Sequence, residues 1–151
     1  MRGVIPLTVA CAVLFAACGS AASPFEEVKT GQTAAEARNE APSRRPDWLP
    51  DNIPLPDDLV IFETRRMRLP GDSSVGYSLK GYTWQSLDAP AVTAGLREKL
   101  LAAGYRPEGN AGAVTPQLVQ FSGNGLAEGT TAFLQVDSGG DYLILSLSIN
   151  R

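Results

Sequence analysis

The chain of 151 residues contains no histidine and only two cysteines. The first absence removes the most common general base and the most common metal ligand in one stroke. Charge of one sign is also scarce: 13 Lys and Arg stand against 16 Asp and Glu, for a net charge of -3 and a pI near 4.9. Binding along a phosphate backbone draws its strength from clustered cations that release counterions, so nucleic acid is excluded as a general partner. Aromatics reach only 7%. No apolar run attains the roughly 20 residues that span a bilayer. What is present is ordinary globular usage, 44% hydrophobic and 19% charged, with 15 glycines and 11 prolines. That composition and length accommodate one compact domain.

The N-terminus carries Arg2, an apolar run from Val4 to Ala17, and then small residues. This is the three-part layout of a secretory signal, which implies export. Within it, Phe15-Ala16-Ala17-Cys18 resembles the lipobox of bacterial lipoproteins, with Phe15 standing where leucine is usual. The resemblance implies cleavage before Cys18, so that 1–17 is the signal peptide and Cys18 becomes an acylated first residue. Cleavage at Ser20-Ala21-Ala22 is the alternative, and it would discard Cys18 and release a soluble protein. Under the lipoprotein reading Cys11 leaves with the signal and Cys18 has no free thiol, which excludes a thiol or redox enzyme. The mature chain would hold 12 basic and 16 acidic residues. Its hold on a membrane would then come from acyl chains rather than from charge. Gly19, a residue other than Asp after the cysteine, fits outer-membrane sorting in bacteria with two membranes, as the resemblance implies.

Residues 18–47 are rich in Ala, Ser, Glu, Thr and Arg and poor in large apolar side chains, which reads as a flexible tether from the lipidated cysteine. A transient helix over Phe25 to Ala41 is compatible with that composition. Residues 48–58 follow as a proline-rich lead-in, with Pro46, Pro50, Pro54 and Pro56 predicting extended or polyproline-like backbone. Trp48, Leu49, Ile53 and Leu55 are expected to anchor this lead-in on the domain's own surface.

The folded part is expected over 59–151. Leu59 to Leu69 and Ser74 to Thr83 read as a hairpin around Pro70-Gly71-Asp72. Asp88 caps a predicted helix from about Ala89 to Ala103, in which Val92, Leu96, Leu100 and Ala103 recur at helical spacing until Gly104 stops it. A loop follows. Gln117 to Ser122, Thr130 to Asp137 and Tyr142 to Asn150 then read as a meander, and in the last strand Leu143, Leu145, Leu147 and Ile149 alternate with mostly smaller residues. The expectation is an α+β fold, a small mostly antiparallel sheet with one helix packed on a face, in the order ββαβββ.

Catalytic equipment is thin. Ser78-Leu79-Lys80 falls one residue short of the S-x-x-K spacing and lies in a predicted strand. Ser73 and Ser74 lack a nucleophile-elbow setting, and Asp57-Asp58 point to opposite faces in extended chain. Asp137 and Asp141 flank a turn, too few oxygens for calcium. No catalytic residue, metal ligand or cofactor site is assigned, and the protein is expected to be non-enzymatic. One cluster stands apart: Arg65, Arg66 and Arg68, three of the twelve basic residues expected in the mature chain. Alternation places Arg66 and Arg68 on one strand face and Arg65 on the other. They are the candidate contact for an anion or an acidic envelope protein partner, with Tyr82 and Trp84 as a candidate aromatic rim; the competing role is to deter edge-to-edge aggregation. A small apolar or anionic ligand between helix and sheet is the alternative function.

Overall fold

The protein is described from a computed structural model, which covers residues 31–68, 75–108, 117–126 and 128–150. Six strands build one sheet: β1 (Val60–Arg68), β2 (Val75–Thr83), β3 (Arg106–Glu108), β4 (Leu118–Ser122), β5 (Ala132–Ser138) and β6 (Leu143–Asn150). The spatial order is β1-β2-β6-β5-β4-β3, and every neighbouring pair is antiparallel. Helix α2 (Ala89–Ala102) carries the chain from β2 across to the far edge, and the meander β3 to β6 walks back until β6 pairs with β2. The architecture is α+β with α2 packed on one face. It differs from ββαβββ by one strand and one short helix. β3 lies in what reads as a loop because Arg106-Pro107-Glu108 shows no apolar alternation; as an edge strand it tolerates the missing proline donor.

α2 begins where Asp88 Oδ1 accepts the Ala91 N–H at 3.0 Å and Pro90 presets the first turn. It ends where Gly104 takes φ +87°, and the N–H groups of Gly104 and Tyr105 return to the carbonyls of Leu101 and Leu100. That pair of bonds satisfies the last orphan carbonyls. Ala89, Thr93, Leu96 and Leu100 face inward, spaced to meet the sheet. Opposite them lie Leu143, Leu145, Leu147 and Ile149 of β6, Leu134 and Val136 of β5, and Val119 and Phe121 of β4, none more than 5% exposed. Burial of this stripe against this sheet face is the main apolar core.

The remainder of that face is covered by the proline-rich lead-in, whose Trp48, Leu49 and Ile53 join the same core. Its backbone is a series of turns rather than extended polyproline. The carbonyls of Pro46, Pro50 and Pro56 accept from Leu49, Ile53 and Leu59 respectively, at 3.0–3.2 Å. A proline at the first position of a turn loses nothing, because only its carbonyl is used. Arg45 locks the middle turn at both ends, donating from Nη1 to Pro50 O at 2.8 Å and from Nη2 to Ile53 O at 2.7 Å.

The opposite face is half covered as well. There α1 (Ala34–Ala37) opens with a reciprocal cap between Thr33 and Glu36, and Ala37 is fully buried on Val60 and Tyr82. Phe62 and Tyr142 pack on the Tyr82 ring, stacked at 4.2 Å and edge-on at 5.2 Å between centroids. The expectation of a free tether over 18–47 is therefore corrected for residues 31–47. Ser43 donates its backbone N–H to Leu59 O just before β1 and accepts from Ile61 N–H within it through its hydroxyl, and Arg38 pairs with Asp141 at 3.0 Å. Small residues such as Ala37 achieve close contact that composition alone does not reveal. Residues 18–30, including Cys18 and the N-terminal part of the predicted helix, lie outside the described residues, as does the turn expected at Pro70-Gly71-Asp72.

Candidate partner-binding edge

Among the described residues β1 is an outer strand with a neighbour on one side only. Its beginning is covered: Ser43 N–H donates to Leu59 O at 2.9 Å and the Ser43 hydroxyl accepts from Ile61 N–H at 2.7 Å. A bulge between Ile61 and Glu63 then resets the alternation, and the last four residues, Arg65 to Arg68, are all exposed. Cross-strand register pairs Arg65 with Ser78, Arg66 with Tyr77, Met67 with Gly76 and Arg68 with Val75. Tyr77 belongs to the α2-side core, so Arg66 and Arg68 share the face that carries the helix, and Arg65 points to the other. The expected alternation is what the register gives.

The three arginines are not equivalent. Glu63 lies two residues before Arg65 on the same face and holds its Nε at 2.8 Å, with the Lys80 ammonium at 4.0 Å. Arg65 is thus part of a small network with its own neighbours. Arg66 sits over the Tyr77 ring, 5.9 Å from the centroid, and Tyr77 is stacked on Trp48 at 5.1 Å. This cation–π stack orients the guanidinium at the edge. Arg68 lies two residues further along the same face, roughly 7 Å away along extended chain. What the edge offers is a pair of planar cations at strand spacing, able to take carboxylates bidentately.

The aromatic rim is different from the one expected. Tyr82 and Trp84 face away from Arg66 and Arg68: Tyr82 donates its hydroxyl to Gln32 O at 3.0 Å and packs among Phe62, Trp84 and Tyr142. Desolvation by burial, reinforced by Tyr142 and Glu36, pushes the Tyr82 phenol above its ordinary value of 10.0. The rings beside the arginines are Tyr77 and Trp48. Tyr77 could have been found by pairing the hairpin in register, whereas the approach of Trp48 from the lead-in leaves no local signal.

The other candidates are in structural use. Asp58 accepts from the Thr83 hydroxyl and, at 2.7 Å, from the Trp84 N–H, which ties the lead-in to the end of β2. Asp137 accepts from Gln135 at 2.9 Å, and Asp141 is the partner of Arg38. Ser78 faces Ser148 across the sheet, while Ser73, Ser74 and Cys18 lie outside the described residues. Among the described residues no group of three acidic, histidine or cysteine side chains could hold a metal ion. Likewise no buried side-chain polar atom there lacks a hydrogen-bond partner. No helix of the described residues is long and apolar enough to cross a membrane.

No protein-family model matches the chain, and no curated protein matches it. Among solved structures, the crystal structure of CalU16 from Micromonospora echinospora aligns with 61% of this chain and 69% of its own, at 12% identity and a TM-score of 0.37. Similarity at that level carries no argument about this protein.

Proposed function

We propose that the protein is a non-enzymatic module of the bacterial cell envelope, held to a membrane by acyl chains on Cys18, whose α+β domain engages another envelope protein of acidic character. In an envelope with two membranes its place is the outer membrane, facing the periplasm. The observation that carries the partner reading is the pairing of Arg66 and Arg68 on one face at the exposed end of an outer strand. Both side chains are exposed and add local positive charge at this strand end of a net-acidic chain.

Two measurements test the reading separately. The intact mass and first residue of the protein made in a bacterial host, native against Cys18→Ala, are expected to show an acylated Cys18 lost in the variant. A native chain starting after Ala22 without lipid refutes the anchor. Partner capture from solubilised membranes, native against the Arg66→Glu and Arg68→Glu double variant, is expected to show an acidic protein lost on charge reversal. An unchanged set of captured proteins refutes the arginine contact.

A further inference from the structure

The turn after β4 holds the chain's one Asn-Gly pair, Asn124-Gly125. Both residues take positive φ, 40° and 93°, and the Leu126 N–H returns to Gly123 O at 3.2 Å. This is the two-residue turn that Asn-Gly favours, because asparagine and glycine tolerate the left-handed region. Gly123, Asn124 and Gly125 are all exposed to water. Asn124 has a second use: its Nδ2 donates to Ala103 O, 21 positions away at the end of α2. Gly104 leaves room for that approach, since a Cβ there would stand 3.4 Å from Asn124 Nδ2. One side-chain amide thus ties the meander to the helix terminus.

We propose that Asn124 is a site of spontaneous deamidation, restrained by its bond to Ala103 O, and that the modification releases the end of α2. Glycine after asparagine leaves the following backbone nitrogen unshielded. That nitrogen, losing its proton, bonds to Asn124 Cγ; the Cγ–Nδ2 bond breaks and ammonia departs with the proton. Water then opens the five-membered imide to aspartate or, through its other carbonyl, to isoaspartate. The other asparagines precede Glu40, Ile53, Ala111 and Arg151, whose side chains obstruct the same attack. The leaving nitrogen is the one that donates to Ala103 O, so the reaction removes the tie as it proceeds. A carboxylate accepts hydrogen bonds and donates none, and here it would face a carbonyl at the negative end of the helix dipole. Restraint comes from the same geometry. While Nδ2 is bound the side chain is held toward α2, and attack awaits a local opening.

The test incubates the full chain in buffer and in urea above its unfolding midpoint, then maps by proteolysis and mass spectrometry the gain that replaces an amide NH2 by OH. The gain is expected at Asn124, roughly fivefold slower in buffer than in urea, because one ordinary hydrogen bond must first be broken. Asn124→Gly, which keeps a residue suited to the turn, is expected to release no ammonia over the same interval. No gain at Asn124 in urea, or a larger one at another asparagine, overturns the site. Equal rates in buffer and in urea overturn the restraint. The consequence is read on Asn124→Asp, which places the product carboxylate directly. It is expected to speed amide exchange at Gly104 and Tyr105, whose N–H groups close the end of α2, and the effect should shrink as salt rises. Unchanged exchange at both positions overturns the release of the helix terminus.

Discussion

Arg45 offers the sharpest test of whether the residues before β1 belong to the fold. Its guanidinium donates to Pro50 O and Ile53 O, the two ends of one turn in the lead-in that places Trp48, Leu49 and Ile53 in the core. Hydrogen bonds from a charged donor contribute about 1.5–3 kcal/mol each when buried. Arg45 is half-buried, so water recovers part of the loss at each carbonyl, and the lower end applies. Arg45→Ala is therefore expected to cost about 2–3 kcal/mol in total. For a domain of this size roughly 3–5 °C of melting temperature accompanies each kcal/mol, so a drop of about 6–15 °C should follow. Arg45→Lys reaches one carbonyl with one ammonium and should lose about half as much. The assay is thermal unfolding followed by circular dichroism and by fluorescence in a Trp84→Phe background, where Trp48 is the sole reporter. Coincident transitions that shift together are expected. If Arg45→Ala melts with the native chain, or if Trp48 becomes exposed well before the sheet melts, the lead-in is an appendage and the reasoning fails.

Three further outcomes are expected. Leu134, fully buried at the centre of β5, should cost about 2–5 kcal/mol on change to Ala, read as a lower urea midpoint at unchanged slope; a loss below about 1 kcal/mol would mean the core is not where it is placed. Asp58→Ala should cost about 1–3 kcal/mol by orphaning the Thr83 hydroxyl and the Trp84 N–H, both bound in the native chain, and wild-type denaturation would refute the clamp. The Tyr82 phenol is raised above 10.0 in the fold, so its contribution is complete below that pH and disappears as pH rises through the folded value; Tyr82→Phe should flatten the alkaline fall in stability, and an identical fall in the variant would contradict it.

Much of this architecture is legible where side-chain period and stop signals agree. The run Leu143, Leu145, Leu147, Ile149 alternates at a period of two, and all four residues lie on the α2 face, at most 1% exposed. Asp88 and Gly104 bracket α2 because a cap and a left-handed residue act within a turn of where they sit. β3 is invisible for the opposite reason: its three residues pair through backbone and carry no apolar pattern. α1 has a local signature, Thr33 followed three residues later by Glu36, but it is one turn long amid a composition typical of unstructured chain. At the candidate edge, alternation separates Arg65 from Arg66 and Arg68, and Glu63 two places before Arg65 signals their pairing. Trp48 beneath Tyr77 is a contact across 29 positions, which only tertiary packing creates.

The position of β6 bears on the order in which the chain can be made and folded. It is the last of the six strands in sequence, yet it stands between β2 and β5 and joins the first hairpin to the rest of the sheet. Among the described strands β6 alone pairs the first hairpin with the meander, and before it emerges the apolar faces of both pieces lack the row that unites them. Contacts this distant along the chain form slowly, since loop closure must come first. A growing chain thus stays open until β6 has been synthesised. Under the envelope role proposed above, such a late-arriving keystone would keep the chain open while it is threaded through a membrane.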